Sequence, residues 1–172
     1  MDTIEGTARC FGDSVDTDML APGLYMKAPM AELAKHCLEA LDEEFAASVK
    51  PGDVVIAGRG FGIGSSREQA AQALLHLGIR AVVARSFGGI FYRNAFNNGL
   101  MALQSAEAVE LFETGDRVSL DPRTGCLTNL SRSRGCVCAP VPPNLLEIAR
   151  AGGLVPYVKA RLGEPRQESQ NA

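Results

Sequence analysis

The chain is predicted to fold as an α/β domain with a parallel or mixed sheet. Two short apolar runs, Val54–Ala57 and Ala81–Ala84, are typical of strands that are covered on both faces. Residues 66–77 between them have the spacing of a helix, and Gly78 is placed to end it. Because a strand, a helix and a second strand in this order form a βαβ unit, the two strands are expected to be parallel.

Upstream of this unit, the sequence predicts one strand, one long loop and one helix. Small or apolar residues alternate with polar residues over positions 4–10, as in a strand. Residues 12–23 are rich in Asp, Pro and Gly, which predicts a loop without regular structure. Over residues 30–41, apolar positions recur at steps of three and four, so one face of a helix is expected to pack on the sheet.

Downstream, the α/β alternation gives way to a predicted hairpin and a further helix. The predicted segments are a helix over 89–98, a strand over 100–103, hairpin strands over 117–120 and 126–130, and a helix over 144–151. Gly99 is placed to end the first of these helices, and residues 121–125 form the hairpin turn. Residues 1–162 are therefore expected to form one domain. Residues 163–172 are polar and lack periodicity, which predicts a flexible C-terminal tail.

Composition limits the partners and the compartment. The chain has 172 residues, 46% of them apolar, and a net charge of −3, which predicts one buried core and no electrostatic attraction to nucleic acid. No apolar run approaches the roughly 20 residues needed to cross a bilayer, and the N-terminus lacks the features of a secretory signal. The five cysteines are widely spread along the sequence, which indicates free thiols in a reducing compartment rather than a set of disulfides. A cytoplasmic protein that binds neither membrane nor nucleic acid is expected.

A glycine-rich loop directly after the first buried strand is the strongest candidate for a functional site. Glycine occupies alternate positions over residues 58–64, which allows the backbone to approach a ligand closely. Ser65 followed by Glu68 fits a capping box, which would place Ser65 at the helix N-cap and Arg67 in the first turn. The amides and dipole of such a helix start favour an anion, and the planar guanidinium of Arg67 is suited to a carboxylate.

The residues of this loop leave three interpretations open. In the first, the glycines only shape the turn, Ser65 only caps the helix, and Arg67 and Glu68 are solvated. In the second, the loop binds a nucleotide phosphate, but no Lys follows the last glycine as it does in a P-loop. In the third, the loop binds a carboxylate and Ser65 is a nucleophile or base, which requires a pocket of low dielectric constant with N–H donors directed at its oxygen.

The loop and its continuation resemble a known signature. Residues 62–68, Gly-Ile-Gly-Ser-Ser-Arg-Glu, resemble the G-x-G-S-S-R-E motif in the swivelling domain of the aconitase superfamily. The similarity continues through residues 78–87 and 90–94, and it begins upstream at residues 16–18. A free-standing chain of this length is similar to the small subunits of 3-isopropylmalate dehydratase and homoaconitase. The resemblance implies a swivelling domain of three layers, β/β/α, as in the aconitase C-terminal domain.

The resemblance also implies an activity that requires a partner. Enzymes of this type remove water from a 2-hydroxy di- or tricarboxylate to form a cis-alkene and add it back at the neighbouring carbon. The implied roles are Ser65 as the catalytic base, Ser66 and Arg67 as ligands of a substrate carboxylate, and Asp16, Thr17 and Asp18 as residues that shape the same substrate-binding pocket.

The resemblance further implies a 4Fe-4S cluster, and we expect a large iron-sulfur subunit to carry it. Clusters are bound by sets of thiolates, whereas here only Cys136 and Cys138 are close in sequence and nothing completes a set. Asp13, Asp16 and Asp18 lack the glycine and the distal glutamate of a calcium loop. This chain is therefore expected to bind no cofactor or metal by itself.

Substrate choice depends on a segment that resembles the specificity loop of the family. Residues 22–28 contain Tyr25, and the position that distinguishes substrates is occupied by Lys27. An apolar residue at this position suits the isopropyl group of isopropylmalate, and Arg suits the additional carboxylate of homoaconitate. Lys27 fits neither pattern, because a cation can bind a carboxylate and a long Lys can also extend past an apolar group into water.

Two further departures leave the substrate open. Gly60 stands where the family commonly has Asn, and Gly88-Gly89 replaces a more usual Ala-Arg. The hypotheses are therefore 3-isopropylmalate in leucine biosynthesis or, alternatively, homoaconitate, dimethylmalate or citramalate. A hypothesis of another class is a non-catalytic module that binds anions without a cluster-bearing partner. His36 and His76 are expected to make local contacts rather than to take part in catalysis.

Overall fold

The computed structural model describes residues 3–163 and contains one mixed sheet. Its strands are β1 Ile4–Cys10, β2 Val54–Ala57, β3 Ala81–Ala84, β4 Met101–Gln104, β5 Arg117–Asp121, β6 Cys126–Asn129 and β7 Arg134–Val137. They lie in the order β4-β3-β2-β1-β5-β6-β7. Pairing is parallel from β4 to β1 and antiparallel from β1 to β7. The predicted parallel βαβ unit and the predicted hairpin are both confirmed.

Helices connect the strands of the parallel half and follow the hairpin half. They are α1 Thr17–Leu20, α2 Met30–Leu33, α3 Phe45–Ser48, α4 Gln69–His76, α5 Gly89–Asn98, α6 Ala108–Leu111, α7 Pro143–Arg150 and α8 Leu154–Leu162. The helix predicted over 89–98 has the expected bounds, and the one predicted over 144–151 is displaced by one residue. Among the described residues, no helix is both long and apolar enough to cross a bilayer.

The sheet curls until its two edges approach each other. The N–H of Ala139, just after β7, donates to the carbonyl of Gln104 in β4 at 2.7 Å. Ser105 and Cys136 also meet there, with 3.4 Å between Oγ and Sγ. The parallel and antiparallel halves therefore form two β layers, and the expected fold class is confirmed.

The burial of the strands reflects their different neighbours. Every residue of β2 and β3 is buried, because helices and the second β layer cover both faces. In β5, buried Val118 and Leu120 alternate with residues that are partly or fully exposed, as in a strand covered on one face. The apolar runs seen in the sequence therefore mark the centre of the core.

The prediction of a helix over residues 30–41 is wrong in length, because the observed helix is much shorter. It ends at Leu33 and is followed only by a 3-10 turn, Ala34–His36. Leu38 then adopts a left-handed conformation with φ of +62°, and its N–H donates to the carbonyl of Met19 at 2.8 Å. Leu38 is wholly buried, so the tertiary contact outweighs continuation of the helix.

Other elements were missed because their patterns are weak. The segment 12–23, predicted as a loop, contains α1, and β7 and α8 were not predicted. Three of the four residues of β7 are exposed, so no alternation marks it, and α8 contains Pro156 and has no fully buried residue. The tail predicted for residues 163–172 lies, from residue 164 onward, outside the described residues.

A buried ion pair fastens β1 to the turn before β2. Asp53 is only 2% exposed, and its carboxylate accepts hydrogen bonds from Arg9 Nε and from the backbone N–H groups of Thr7 and Lys50 at 3.0 to 3.1 Å. Arg9 also donates from Nη1 to Ser48 Oγ at 3.0 Å. The hydrogen bonds compensate for the cost of removing both charges from water.

Replacing Asp53 by Ala is expected to lower the free energy of unfolding by about 3 kcal/mol, because the Arg9 charge stays buried without its partner. Urea unfolding followed by circular dichroism measures the loss. The control is Glu110→Ala, which removes the ion pair of Arg85 with a largely exposed carboxylate and should cost less than about 1 kcal/mol. Equal losses in the two variants would contradict the expectation.

Candidate active site

Two loops that leave the carboxyl ends of β1 and β2 run side by side. We call residues 12–17 and 58–65 the paired loops. Backbone hydrogen bonds join them along their length: Gly58 N to Gly12 O at 3.0 Å, Ser14 N to Arg59 O at 2.7 Å, Gly62 N to Val15 O at 2.7 Å and Thr17 N to Ile63 O at 2.9 Å. Because β1 and β2 are parallel neighbours, the loops extend their pairing beyond the sheet.

The loop after β3 supports the paired loops from the other side. Ser86 accepts from Phe61 N through its carbonyl at 3.0 Å and from Gly60 N through its hydroxyl at 2.9 Å. Gly88 N donates to Phe61 O at 2.8 Å. The candidate site therefore lies at the carboxyl ends of three neighbouring parallel strands, where open α/β sheets bind their ligands.

Glycine is required where these loops touch. A Cβ on Gly62 would lie 2.1 Å from the ring of Phe91, and a Cβ on Gly88 would lie 2.5 Å from the carbonyl oxygen of Gly62. Gly88 thus lets its loop pack directly on the loop that carries Ser65. Gly60 has φ of +71°, a left-handed conformation that Asn adopts more readily than most other residues, and a Cβ there would lie 3.3 Å from Ile63 Cγ2.

The predicted capping box does not form. Helix α4 begins at Gln69, and Glu68 precedes it with helical dihedral angles and without a side-chain cap. The N–H of Ser65 instead donates to Thr17 Oγ1 at 2.9 Å, which ties Ser65 to the other paired loop. Arg67 consequently precedes the helix rather than lying in its first turn. Since its hydroxyl does not cap α4, Ser65 is available for chemistry.

The predicted site residues differ in exposure and in what they contact. Ser65, Ser66 and Lys27 are exposed, so a ligand or a partner can reach them. Thr17 is 2% exposed and supports the backbone of Ser65. Asp16 caps α1 by accepting from Asp18 N and Met19 N, both at 2.8 Å. An Asp ahead of a short apolar stretch is an N-cap signal, although the Asp- and Gly-rich composition favoured a loop.

Arg67 is oriented by the loop that follows α1. Its Nη1 donates to Asp18 Oδ1 and to the carbonyl of Ala21, the latter at 2.9 Å. Within the described part of the chain, Nε and Nη2 of Arg67 make no hydrogen bond and can serve as donors to a ligand. The Ala21 carbonyl is a functional group that no sequence pattern indicated.

Asp18 links the guanidinium to the predicted specificity loop. Its Oδ1 also accepts from Gly23 N at 3.1 Å. The hydrogen bond from Arg67 and, after it, the one from Gly23 hold the pKa of the Asp18 carboxyl below its usual range. Asp18 therefore stays ionised at neutral pH and orients Arg67. Its implied role in shaping the substrate-binding pocket stays a prediction.

The predicted specificity loop, residues 22–28, is built on a 3-10 turn. Residues Gly23–Tyr25 form the turn, and the N–H of Ala28 donates to the carbonyl of Tyr25 at 2.9 Å. The ring of Tyr25 stacks on His36, a contact that the sequence did not signal. Lys27 follows the turn on the surface, so its ammonium group can move toward or away from a ligand.

The described residues do not fit an iron-sulfur cluster. They include no group of three or more His, Cys, Asp or Glu side chains placed to hold a metal ion. All five cysteines are free thiols. Burial raises the pKa of Cys10 to about 11 and that of Cys138 to about 12, which opposes the thiolate form that cluster ligation needs.

Comparisons with known proteins agree with this architecture. Residues 20–108 match the aconitase C-terminal domain. The 3-isopropylmalate dehydratase small subunit of Caldicellulosiruptor saccharolyticus is 44% identical over 98% of both chains. That of Thermodesulfovibrio yellowstonii is 45% identical over 92% of this chain and 95% of its own. The crystal structure of 3-isopropylmalate dehydratase from Methanocaldococcus jannaschii is 42% identical, covers 94% of this chain and 96% of its own, and has a TM-score of 0.88.

The mixed sheet and the glycine loop at its carboxyl edge define a swivelling domain of the aconitase class, as the resemblance implied. The identities extend beyond this shared domain to nearly the whole chain. The chain belongs to the family of 3-isopropylmalate dehydratase small subunits, which are subunits of a hydro-lyase.

Replacing Arg67 by Gln is expected to raise the pKa of Asp18 toward its ordinary value, because the guanidinium is the first cause of the lowering. The ion pair is complete above the ordinary carboxyl pKa and is lost as pH falls through the lowered pKa of Asp18. Titration of the side-chain carboxyl carbons by NMR measures the shift. Asp116 is the control, because the first cause of its lowered pKa is a hydrogen bond from the backbone N–H of Glu113. An unchanged pKa of Asp18 would refute the role assigned to the Arg67 guanidinium.

Proposed function

We propose that this chain, paired with a large subunit, isomerises 3-isopropylmalate by dehydration and rehydration in leucine biosynthesis. One observation carries the proposal. Ser65 and Ser66 lie beside Arg67, whose guanidinium is oriented by Asp18, at the carboxyl ends of the parallel strands of an aconitase-type sheet. The names of relatives that match nearly the whole chain support the same reaction.

In this proposal, Arg67 binds a carboxylate of the substrate. Asp18 and the Ala21 carbonyl engage Nη1 alone, so Nε and Nη2 form a fork with the geometry of a carboxylate. Ser66 adds a hydroxyl donor from the same loop. Because Asp18 fixes the guanidinium beforehand, little side-chain entropy is lost when the substrate binds.

Ser65 is proposed as the base. As the alkoxide, its oxygen takes the proton from the carbon next to a substrate carboxylate while hydroxide leaves the neighbouring carbon, and it returns a proton when water adds back. A serine oxygen can do this only in a water-excluded pocket with donors directed at it. In the isolated chain the Ser65 side chain is exposed, which supports a site that the partner completes.

We assign the implied cluster to that partner, because the described residues of this chain do not fit it. When bound there, a 4Fe-4S cluster supplies Lewis-acid chemistry for the departing hydroxyl. Exposed apolar side chains support a partner that covers this face: Leu24 is 85%, Ile63 39% and Ile90 41% exposed. Leu24 and Ile63 lie in the loops around the site, and Ile90 lies in the first turn of α5. Free thiols throughout fit a cytoplasmic complex.

Co-expression with a large subunit of 3-isopropylmalate dehydratase tests this proposal. We expect the tagged chain to recover a larger, brown protein, and the complex to turn over 3-isopropylmalate in preference to citramalate, dimethylmalate and homoaconitate. Faster turnover of homoaconitate would assign Lys27 to the additional carboxylate. A chain that recovers no partner and only binds anions would be a non-catalytic module and would refute the proposal.

Replacing Ser65 by Ala is expected to lower kcat by about 10²- to 10⁴-fold, the range that a positioned base contributes. Recovery of the large subunit should be unchanged, because the contact that Ser65 makes with Thr17 uses its backbone N–H. Ser119→Ala in β5 is the matched control and should retain normal turnover. A kcat close to that of the native complex in the Ser65 variant would rule out the role of base.

A further inference from the structure

The specificity loop, residues 22–28, rests on a histidine. The rings of Tyr25 and His36 are stacked, with 3.6 Å between centroids and 4° between planes. Tyr25 is partly buried against the core, and His36 is only 22% exposed. Tyr25, the central residue of the loop, therefore makes an aromatic contact with His36 in addition to its packing against the core.

The ring of His36 is itself held in place. Nδ1 lies 2.6 Å from Glu39 Oε2, and Nε2 lies 3.7 Å from Glu32 Oε1. His36 ends the 3-10 turn Ala34–His36, and the residues on either side of that turn, Leu33 and Cys37, are buried. The ring is therefore a platform attached to the core rather than a mobile surface side chain.

The platform and Asp18 hold the loop at two points. Asp18 accepts from Gly23 N and also from Arg67, so the start of the loop is connected to the guanidinium. Tyr25, two residues later, is held by His36. Lys27 comes two residues after Tyr25, and the next residue is bonded back to the Tyr25 carbonyl. The position of Lys27 relative to Arg67 is thus set by both contacts.

We propose that His36 is a positioning residue for substrate discrimination, which acts by stacking on Tyr25 and so fixing the loop that carries Lys27. It touches neither substrate nor reacting atoms. The inference rests on the proposed function for its effect on substrate choice, but the effect on the loop is independent of any activity. A stacked aromatic pair is expected to change the equilibrium between held and released loop by roughly two- to tenfold.

The first measurement is hydrogen exchange in the isolated full chain. In His36→Ala, the amides of residues 25–28 should exchange roughly two- to tenfold faster, and those of α4 should be unchanged. His36→Phe keeps a ring and should restore the native rate. His76→Ala, at the exposed end of α4, is the matched control and should have no effect on the loop.

The second measurement is steady-state kinetics of the reconstituted complex. His36→Ala should raise KM roughly two- to tenfold and shift the ratio of kcat/KM values across the substrate panel, while kcat stays near the native value. His36→Phe should restore both KM and the ratio. Combining His36→Ala with Tyr25→Leu should add little to either single change, since each removes the same contact.

The outcomes separate this inference from the proposed function. An inactive native complex would refute the function, while exchange would still decide whether His36 holds the loop. Unchanged loop exchange in His36→Ala, or acceleration spread over the whole chain, would overturn the inference. A loss of kcat without a change in KM or in substrate ratio, or failure of Phe to restore them, would overturn it as well.

Discussion

The parallel pairing of β1 with β2, continued past the end of the sheet, is the constraint on which the site depends. Cys10 lies opposite Ile56, and the backbone bonds of the paired loops carry the same pairing on to Thr17 and Ile63. Apart from Thr17, the first residue of α1, neither loop has regular secondary structure that would hold it alone. Because each satisfies the backbone groups of the other, both keep a defined course at the exposed edge of the domain.

This pairing brings together charges that are far apart in sequence. Asp18 is placed beside Arg67, and the same carboxylate oxygen accepts from Gly23 at the start of the specificity loop. One ionised side chain thus connects the proposed carboxylate ligand to the proposed specificity segment. The orientation of the Arg67 guanidinium therefore depends on the position of residues 22–28 before any substrate binds.

The chain carries the polar groups that we propose for binding and for proton transfer, but its own side chains do not enclose them. Ser65 and Ser66 are exposed, and so are the apolar side chains of Leu24 and Ile63 in the loops of the candidate site. The buried cysteines, in contrast, lie in the core as neutral thiols. The division of labour inferred from the sequence, with binding and base groups here and the cluster on another subunit, agrees with this distribution of polar and apolar surface.

Elements whose signals are local could be predicted from the amino-acid sequence: the two buried strands, the helix between them, the hairpin and the glycine loop with its Ser-Ser-Arg triplet. The contacts that the residues of this loop make, in contrast, depend on the tertiary fold. The Asp18–Arg67 and Thr17–Ser65 contacts span 49 and 48 residues, and they replaced the capping box that the local pattern favoured. Helix α2 likewise ends at Leu33, and Leu38 instead forms a hydrogen bond with the distant Met19. Contacts between residues distant in sequence leave no local pattern, and their free energy outweighs local preferences of a few tenths of a kcal/mol per residue.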